Sequence, residues 1–335
     1  MTADRTQTLR PPPPKLERIQ APVADQLDTV VEEIRRVILA EFPPIQEIND
    51  YLALARGKLF RPTLLLLANR VGSGGHPRAP TLGAIIELLH MATLVHDDAV
   101  DHSVLRRGMP TVNALWNHQS AIIMGDYLYS RAVIELASFD RTDLIQVLAR
   151  AANEMSVGEM RQLLSADALG FGEEDYYQLI RSKTASLMSA ACELGVMAGD
   201  AAFREPLTRF GNHIGMAFQI ADDLLDYTAT EEATGKPTGH DLREHKMTLP
   251  LIAALREMDP GARREVEHFF ADPEPTDDGI RRVMHLTVEH GGLEYARARA
   301  DEFGDRATEQ VEGLPDGDAS RALAAAVRYV VERRR

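Results

Sequence analysis

Apolar side chains recur at helical spacing over almost the whole chain, beginning with Leu27, Val30, Val31, Ile34, Val37 and Ile38. Spacing of i, i+3, i+4 and i+7 places such side chains on one face of an α-helix. Turn-forming segments interrupt this pattern, and no alternating run of β-branched residues lies between them. The breaks fall at 42–44, 72–80, 106–111, 168–175, 234–241, 271–279 and 313–318. The pattern predicts one all-α domain of ten or more helices.

The first 20 residues lack this periodicity. Pro11–Pro14 favour an extended polyproline II conformation. No apolar segment follows a basic start, as it does in a secretory signal. We therefore predict a flexible, Pro-rich tail over residues 1–20, a folded domain over 21–335 and a cytoplasmic location.

Composition narrows the class of protein further. The 335 residues are 44% hydrophobic, which is enough for a large core and excludes a wholly disordered chain. There are 37 Lys and Arg against 51 Asp and Glu, for a net charge of −14. Such a balance argues against nucleic acid as a partner, since phosphate backbones are bound by clustered cations. The single cysteine, Cys192, excludes an internal disulfide and is expected to be a small buried residue.

Two apolar stretches end in the same acidic pattern, in ELLHMATLVHDDAVD and in FQIADDLLDY. Helical residues i and i+4 share a face, so Asp97 lies beside Asp101 and Asp222 beside Asp226. Like charges at that spacing oppose the helix, and their burial is costly without a cation. Paired oxygen ligands suit Mg²⁺ better than zinc. One such motif is typical of a solvated helix face, but two copies predict facing carboxylate walls that hold Mg²⁺ against an anion.

Basic residues lie in loops and helix ends close to these motifs. Each of them alone is typical of a solvent-facing side chain. Together, in an acidic chain, they indicate a diphosphate, because Arg grips phosphate oxygens in a bidentate fork and Lys supplies a point charge. They are Lys58, Arg61, Arg106, Arg107, Lys183 (followed by Thr184), Lys236 and Lys246.

The segments GKLFRP, HDDAVDHSVLRRG, SKT, FQIADDLLDY and GKPTGHDLREHKMTLP, in this order, resemble the trans-isoprenyl diphosphate synthases, especially their long-chain heptaprenyl and octaprenyl type. The resemblance covers about residues 25–335. It implies an isoprenoid synthase fold, with helices around a deep central cavity, and a homodimer. It also implies a Mg²⁺-dependent prenyltransferase that condenses isopentenyl diphosphate with an allylic diphosphate such as farnesyl diphosphate. Arg56 and Leu59 depart from the family's usual Gly and Arg, which leaves Lys58 and Arg61 in place.

The resemblance also implies a role for individual residues. Three Mg²⁺ ions would be held by Asp97, Asp98, Asp101, Asp222, Asp223 and Asp226. The allylic diphosphate would be bound by Arg106, Lys183, Lys236 and Lys246, and the reacting carbons would face Thr184 and Gln219. Isopentenyl diphosphate would be bound by Lys58, Arg61, His90 and Arg107. Without the resemblance, a lone histidine such as His90 on an apolar helix is typically a core residue.

Product length is expected to depend on the helix that precedes Asp97. Ala92 and Thr93 lie one turn below the aspartate, where short-chain relatives carry bulky aromatic residues, and Leu89 lies a further turn below. Small side chains there leave a tunnel open. We therefore expect a product longer than 20 carbons, for a quinone side chain, with a tunnel floor formed by Leu144 and Leu148.

Three other functions compete with this interpretation. A geranylgeranyl synthase shares the reaction but stops at 20 carbons. A class I terpene cyclase shares the ionisation step but usually carries a different second metal motif and needs no isopentenyl site. A non-catalytic regulatory subunit of a heteromeric synthase usually lacks one or both aspartate motifs, and both are intact here. For any of these, contact with a membrane is expected to be peripheral at most.

Overall fold

The computed structural model describes residues 14–54, 57–72, 74–106, 108–164, 168–228 and 239–332. The N-terminal part of these residues folds into α1 (Leu16–Gln20), α2 (Ala24–Ile38), α3 (Pro43–Leu52), α4 (Phe60–Arg70), α5 (Ala79–Val100), α6 (Val112–Leu115), α7 (His118–Ala137) and α8 (Thr142–Leu164). One antiparallel hairpin, β1 (Leu105–Arg106) and β2 (Met109–Pro110), lies between α5 and α6.

The C-terminal part continues with α9 (Glu173–Ile180), a π-helical segment (Arg181–Ala185), α10 (Ser186–Ala198), α11 (Arg204–Thr228), α12 (His240–Arg243), α13 (Leu249–Glu257), α14 (Pro260–Ala271), α15 (Asp277–Glu289), α16 (Gly292–Glu312) and α17 (Asp318–Val331). Short 3-10 turns precede α2, α9 and α11. The predicted all-α class is confirmed. Each predicted break coincides with a gap between two helices, apart from the break at 234–241, most of which lies outside the described residues.

Further breaks between helices were not predicted from the sequence pattern. The chain turns at Asp140 and at Gly291, both of which have positive φ angles. The hairpin also departs from the helix-only prediction, because two-residue strands are too short to produce a periodic signal. Part of the segment predicted as a tail is helical, since residues 16–20 form α1 and Ile19 is fully buried. Residues 1–13 lie outside the described residues.

The buried apolar residues form two clusters. The larger one joins α2, α4, α5, α7, α8, α10 and α17, and Cys192 is buried in it as expected. The smaller one joins α9 and the helices from α12 to α16. Helix α11 contributes its N-terminal half to the larger cluster and its C-terminal half to the smaller one. The acidic end of α11 therefore lies at the junction of the two clusters.

Helix α5 is the central element of the larger cluster. It is long and apolar enough to cross a membrane, but 72% of its most apolar stretch is buried inside the protein. Burial of this kind is expected of a core helix, because neighbouring helices provide the apolar surroundings. The polar end of α5, at Asp97 and Asp98, is therefore held firmly by the core below it.

Candidate active site

The first aspartate motif occupies the last turn of α5. Asp98 is buried, Asp97 is partly buried, and Asp101 is exposed where the helix ends. Arg106, on β1 of the hairpin, donates from Nε to both Asp98 oxygens at 2.8 Å. A buried carboxylate needs such a charged partner. The hairpin thus compensates Asp98, while Asp97 and Asp101 share an adjacent face of the helix.

The motif Asp97, Asp98 and Asp101 forms the first wall of the site. Lys183 lies opposite this wall, in the π-helical segment. Its Nζ is 2.6 Å from Glu159 Oε2 and 3.8 Å from Asp97 Oδ2. Nζ also donates to Gln162 Oε1 at 3.1 Å. Segments of π-helix are frequent at functional sites, and this one directs a lysine at the first aspartate motif.

The charges around Asp97 do not balance. Burial raises the pKa of this carboxyl to about 6, and the negative charges of Glu159 and Asp101 add to the effect. Lys183 and Arg106 oppose it without cancelling it. The first wall therefore carries more negative charge than its cations neutralise.

The second motif lies on α11, near the end of its described part. Asp222 is exposed, whereas Asp223 is buried. Tyr176 Oη donates to Asp223 Oδ2 at 2.6 Å, and Gln219 Nε2 donates to Asp223 Oδ1 at 2.8 Å. Both donors are neutral. Burial, followed by the charge of Asp241, raises the pKa of Asp223 well above its usual range.

Asp226 completes the motif and holds the start of α12. Its carboxylate oxygens accept backbone N–H bonds from His240 and Asp241, each at 3.0 Å. These bonds bring a further carboxylate, Asp241, to the second wall. Burial and the charges of Asp226 and Asp222 raise the pKa of Asp241 to about 7, against the opposing charge of Lys246.

The crowded carboxylates fit a cation. Asp97, Asp223 and Asp241 all have raised pKa values because burial and like charges disfavour their ionised forms. Over the described parts of the chain, however, no three His, Cys, Asp or Glu side chains form a group that could hold a metal ion. A cation there must complete its coordination with water and substrate oxygens. This requirement suits Mg²⁺, which usually takes one or two carboxylates together with phosphate oxygens.

Lys246 connects the two walls electrostatically. Burial lowers its pKa, but the hydrogen bond to Glu244 and the negative charges of Asp101 and Asp241 outweigh burial and raise it. Asp101 belongs to the first wall and Asp241 to the second. Lys246 is therefore within electrostatic reach of a carboxylate from each wall.

Thr184 and Gln219 also meet. Thr184 Oγ1 donates to Gln219 Oε1 at 2.7 Å. Gly215, one turn before Gln219, allows this approach, since a Cβ atom there would lie 2.6 Å from Ala185 Cα. Gly158 serves the other side of the π segment, because its Cβ would lie 2.7 Å from Ser182 Cβ. Two glycines thus let α8 and α11 close on the segment that carries the predicted catalytic residues.

The predicted isopentenyl site lies between α4 and α5. Lys58 precedes α4, Arg61 is in its first turn, and His90 is partly buried on α5. Lys58 and His90 line a cavity of about 500 Å³ between α1, α2 and α5. Leu59, one of the departures from the family pattern, adopts the left-handed conformation with φ of 49°. This conformation is uncommon outside glycine, and it starts α4 so that Lys58 and Arg61 flank the turn.

The residues expected to set product length lie in the large core cluster. Leu89 and Ala92 are each 2% exposed, and Thr93 donates its hydroxyl to the backbone oxygen of His90. Leu144 and Leu148 belong to the same cluster, on α8. The cavity touches a different side of α5, at Glu87, His90, Met91 and Leu94.

Two predicted phosphate-binding residues, Arg107 and Lys236, lie outside the described residues. The structure adds four others that the sequence analysis did not select: Glu159, Gln162, Tyr176 and Asp241. Asp241 was within reach of sequence reasoning, since it stands in the same GHDLREHK segment as Lys246. Glu159, Gln162 and Tyr176 carry no local signal, because their importance depends on contacts made across 21 to 47 residues of sequence.

Comparison with known proteins relates this site to a family. Residues 42–287 match the family model described as polyprenyl synthetase. An all-trans-nonaprenyl-diphosphate synthase from Rhodobacter capsulatus is 38% identical, over 94% of this chain and 97% of that protein. A decaprenyl diphosphate synthase structure from the same organism has a TM-score of 0.89 at 37% identity, covering 96% of this chain and all of that one. A polyprenyl synthase from Caulobacter crescentus, solved with calcium and isoprenyl diphosphate, has a TM-score of 0.91 at 31% identity, covering 97% and 100%.

Proposed function

This chain belongs to the polyprenyl synthetase family and is a long-chain polyprenyl diphosphate synthase, and we propose how its residues divide the reaction. Prenyltransferases of this family extend an allylic diphosphate with isopentenyl diphosphate. The observation that carries the proposal is the convergence of both aspartate motifs on Lys183, Lys246 and the Thr184–Gln219 pair. Neither a terpene cyclase nor a regulatory subunit needs the whole of this set together with an isopentenyl site.

Mg²⁺ is the proposed cation, with three ions between the walls, bound by Asp97, Asp101, Asp222 and Asp226. Asp98 and Asp223, the buried member of each motif, hold the walls through protein contacts. When bound, the metal neutralises the diphosphate and makes it a better leaving group. The Caulobacter crescentus polyprenyl synthase was solved with calcium and isoprenyl diphosphate, which supports a divalent cation as part of the proposal.

The chain's own cations receive the charge of the departing group. The allylic C–O bond breaks, and the electron pair leaves with the diphosphate towards Arg106, Lys183 and Lys246. Preorganised cations that meet charge as it develops lower the barrier. The oxygens of Thr184 and Gln219 face the carbon that becomes positive.

Carbon–carbon bond formation follows on the acceptor side. Lys58, Arg61 and His90 orient isopentenyl diphosphate so that its double bond attacks the allylic cation. The new centre then loses a proton to the departed diphosphate, which restores an allylic product five carbons longer. Exclusion of water by the apolar core under α5 protects the cation during these steps.

The proposed product exceeds 20 carbons and serves a quinone side chain. The small side chains of Ala92 and Thr93 on α5 support this length, with Leu144 and Leu148 as the proposed floor. Replacing Ala92 with Tyr should shift the products to 15 or 20 carbons while activity on short starters persists. An active Ala92→Tyr enzyme with unchanged products would show that the tail does not follow this helix.

We also propose a homodimer in the cytoplasm. Large apolar side chains are exposed on α7 and α8, and burial against a second copy would remove them from water. They include Ile122, Ile123, Ile134, Val157, Met160 and Leu163. Analytical ultracentrifugation should report a dimer, and Ile123→Glu should give a monomer.

Incubation of the protein with Mg²⁺, isopentenyl diphosphate and farnesyl diphosphate, followed by chromatography, tests the function. Chain elongation beyond 20 carbons supports it, whereas cyclised products, 20-carbon products or no reaction favour the three competing functions.

Lys58→Ala should raise the KM for isopentenyl diphosphate more than the KM for the allylic substrate. The reverse pattern would exchange the two subsites.

A further inference from the structure

Asp223 lies in the middle of a chain of hydrogen bonds that ends at the proposed reacting centre. Tyr176 Oη donates to one of its oxygens at 2.6 Å, and Gln219 Nε2 donates to the other at 2.8 Å. The Oε1 atom of the same Gln219 amide accepts the Thr184 hydroxyl at 2.7 Å. Tyr176 is 1% exposed and Asp223 is 6% exposed. Both oxygens of Asp223 are therefore engaged by protein donors inside the core.

This arrangement determines which way the Gln219 amide points. The two ends of an amide have nearly the same shape, so packing alone does not distinguish them. Asp223 Oδ2 is already occupied by the Tyr176 hydroxyl, however, and its Oδ1 faces the amide as an acceptor, which selects the NH₂ end of Gln219. Because Asp223 accepts from the NH₂ group, the carbonyl oxygen of Gln219 must lie on the side of Thr184.

Tyr176 makes the arrangement rigid. Its phenol is donor to Asp223 Oδ2 and lies on α9, whereas Asp223 and Gln219 lie on α11. A buried carboxylate oxygen that lost this donor would have to rotate or be left unpaired, which is costly. The contact between the two helices thus prevents Asp223 from turning away from Gln219.

We propose that Asp223 and Tyr176 are positioning residues that hold the Gln219 carbonyl oxygen, rather than its NH₂ group, beside Thr184 at the carbon that becomes positive. The inference rests on the proposed function, in which Thr184 and Gln219 face the reacting carbons. A carbonyl oxygen directed at this point stabilises positive charge, and an NH₂ group there opposes it. Asp223 then differs in role from its neighbour Asp222, although both belong to one motif.

The first test separates this role from metal binding. Asp223→Asn should let the Gln219 amide reverse, because the new Asn can donate to its carbonyl oxygen. We expect kcat to fall about 100-fold, with the KM values and the Mg²⁺ concentration for half-maximal rate changed less than about twofold. Tyr176→Phe should lower kcat about tenfold with the same pattern. Asp222→Asn, the matched control, should instead raise the Mg²⁺ requirement.

A rescue experiment tests the amide orientation itself. In Asp223→Asn/Gln219→Glu, the carboxylate at 219 has an oxygen at each end, so one accepts from the new Asn and the other stays beside Thr184. The double variant should therefore be about tenfold more active than Asp223→Asn alone. Gln219→Glu alone places two carboxylates in contact and should be less active than the double variant. A double variant no better than Asp223→Asn would overturn the proposal.

A binding measurement provides a readout apart from turnover. Calorimetry with Mg²⁺ and the unreactive analogue farnesyl thiolodiphosphate should give the same affinity for wild type, Asp223→Asn and Tyr176→Phe, and weaker binding for Asp222→Asn. Loss of affinity in Asp223→Asn equal to that in Asp222→Asn would make Asp223 a metal ligand and refute the inference. If Asp223→Asn does not fold, Tyr176→Phe decides by the same criteria.

The outcomes also separate this inference from the proposed function. A wild-type protein that does not elongate farnesyl diphosphate contradicts the function as a whole. A wild-type protein that elongates it, with Tyr176→Phe at full kcat or no rescue by Gln219→Glu, contradicts only the positioning role.

Discussion

Asp98 and Asp223 occupy the same place in two copies of one motif, and both are buried, but their partners differ in charge. Asp98 is paired with a cation, Arg106, which a surface hairpin supplies. Asp223 is held by the neutral donors Tyr176 and Gln219, so neither hydrogen-bond partner offsets the cost of ionising it in the core. The comparison shows that a repeated sequence pattern does not imply repeated chemistry. In the first motif the buried aspartate is compensated by a protein cation, whereas in the second the buried aspartate has only neutral hydrogen-bond donors.

The first aspartate of each motif should behave alike in the two walls, and its loss should have the largest effect. Asp97→Ala and Asp222→Ala are each expected to lower kcat/KM about 1,000-fold, since each removes a carboxylate that faces the metal. Both variants should keep the melting temperature of the wild type, because removing mutually repelling charges does not destabilise the fold. Asp25→Ala, an exposed aspartate on α2, is the control. Near-normal activity of either wall variant at saturating Mg²⁺ would disprove the two-wall site.

Gly158 and Gly215 let helices α8 and α11 pack closely against the π segment. Substituting each glycine tests whether both walls depend on this close packing. Gly158→Ala should displace Lys183 from the first wall, and Gly215→Ala should displace Gln219 from Thr184. We expect kcat to fall about tenfold to 100-fold in each case, since a shift of about 1 Å can cost that much. Steady-state kinetics should show a raised KM for the allylic diphosphate only in Gly158→Ala. Equal KM effects in both variants would remove the distinction.

The free energy of unfolding should show that the buried aspartate of the first wall depends on a protein cation. Arg106→Met leaves Asp98 buried without its charged partner, which should lower the free energy of unfolding by about 2 kcal/mol. This value is lower than is typical of a fully buried ion pair because the Arg106 side chain is partly exposed. Urea unfolding measures the change. Asp98→Asn in the same background should recover part of the loss, and no recovery would mean that the pair does not stabilise the first wall.

The effect of pH on the free energy of unfolding should be smaller than the effect of removing Arg106. The pH range of this effect should differ between Asp97 and Asp241. The folded-state pKa values of Asp97 and Asp241 are raised from 3.8 to about 6 and about 7. The folded metal-free protein therefore binds these protons more tightly than the unfolded chain, and the free energy of unfolding falls as pH rises from about 4. Asp97→Asn should remove the part of this fall that ends near pH 6, and Asp241→Asn the part that continues to pH 7. Urea midpoints between pH 4.5 and 7.5, measured with a chelator, provide the test, and parallel curves for all three proteins would contradict it.

Local sequence pattern was sufficient for much of this architecture. The i, i+4 spacing of Asp97 with Asp101 and of Asp222 with Asp226 predicted two carboxylate walls, because helix geometry is local. It could not separate Asp98 from its two neighbours, since Arg106 reaches it only through a hairpin too short for a periodic signal. Tyr176, which donates to Asp223, lies 47 residues away from it, on another helix. Contacts of that range depend on packing, which a single sequence does not display.

The π-helical segment has a consequence for the evolution of this chain. A π turn contains one more residue than an α turn, so Arg181–Ala185 acts as an insertion fixed inside one continuous helical run from Glu173 to Ala198. Substitutions at its outward positions leave the phase between Tyr176, before the segment, and Thr184, within it, intact. Deletion of a single residue, by contrast, would rotate one flank by about 100° and separate the two ends of the hydrogen-bonded chain. Homologous sequences should therefore keep the length of this segment constant and vary in residue type only at its outward positions, such as the exposed Arg181.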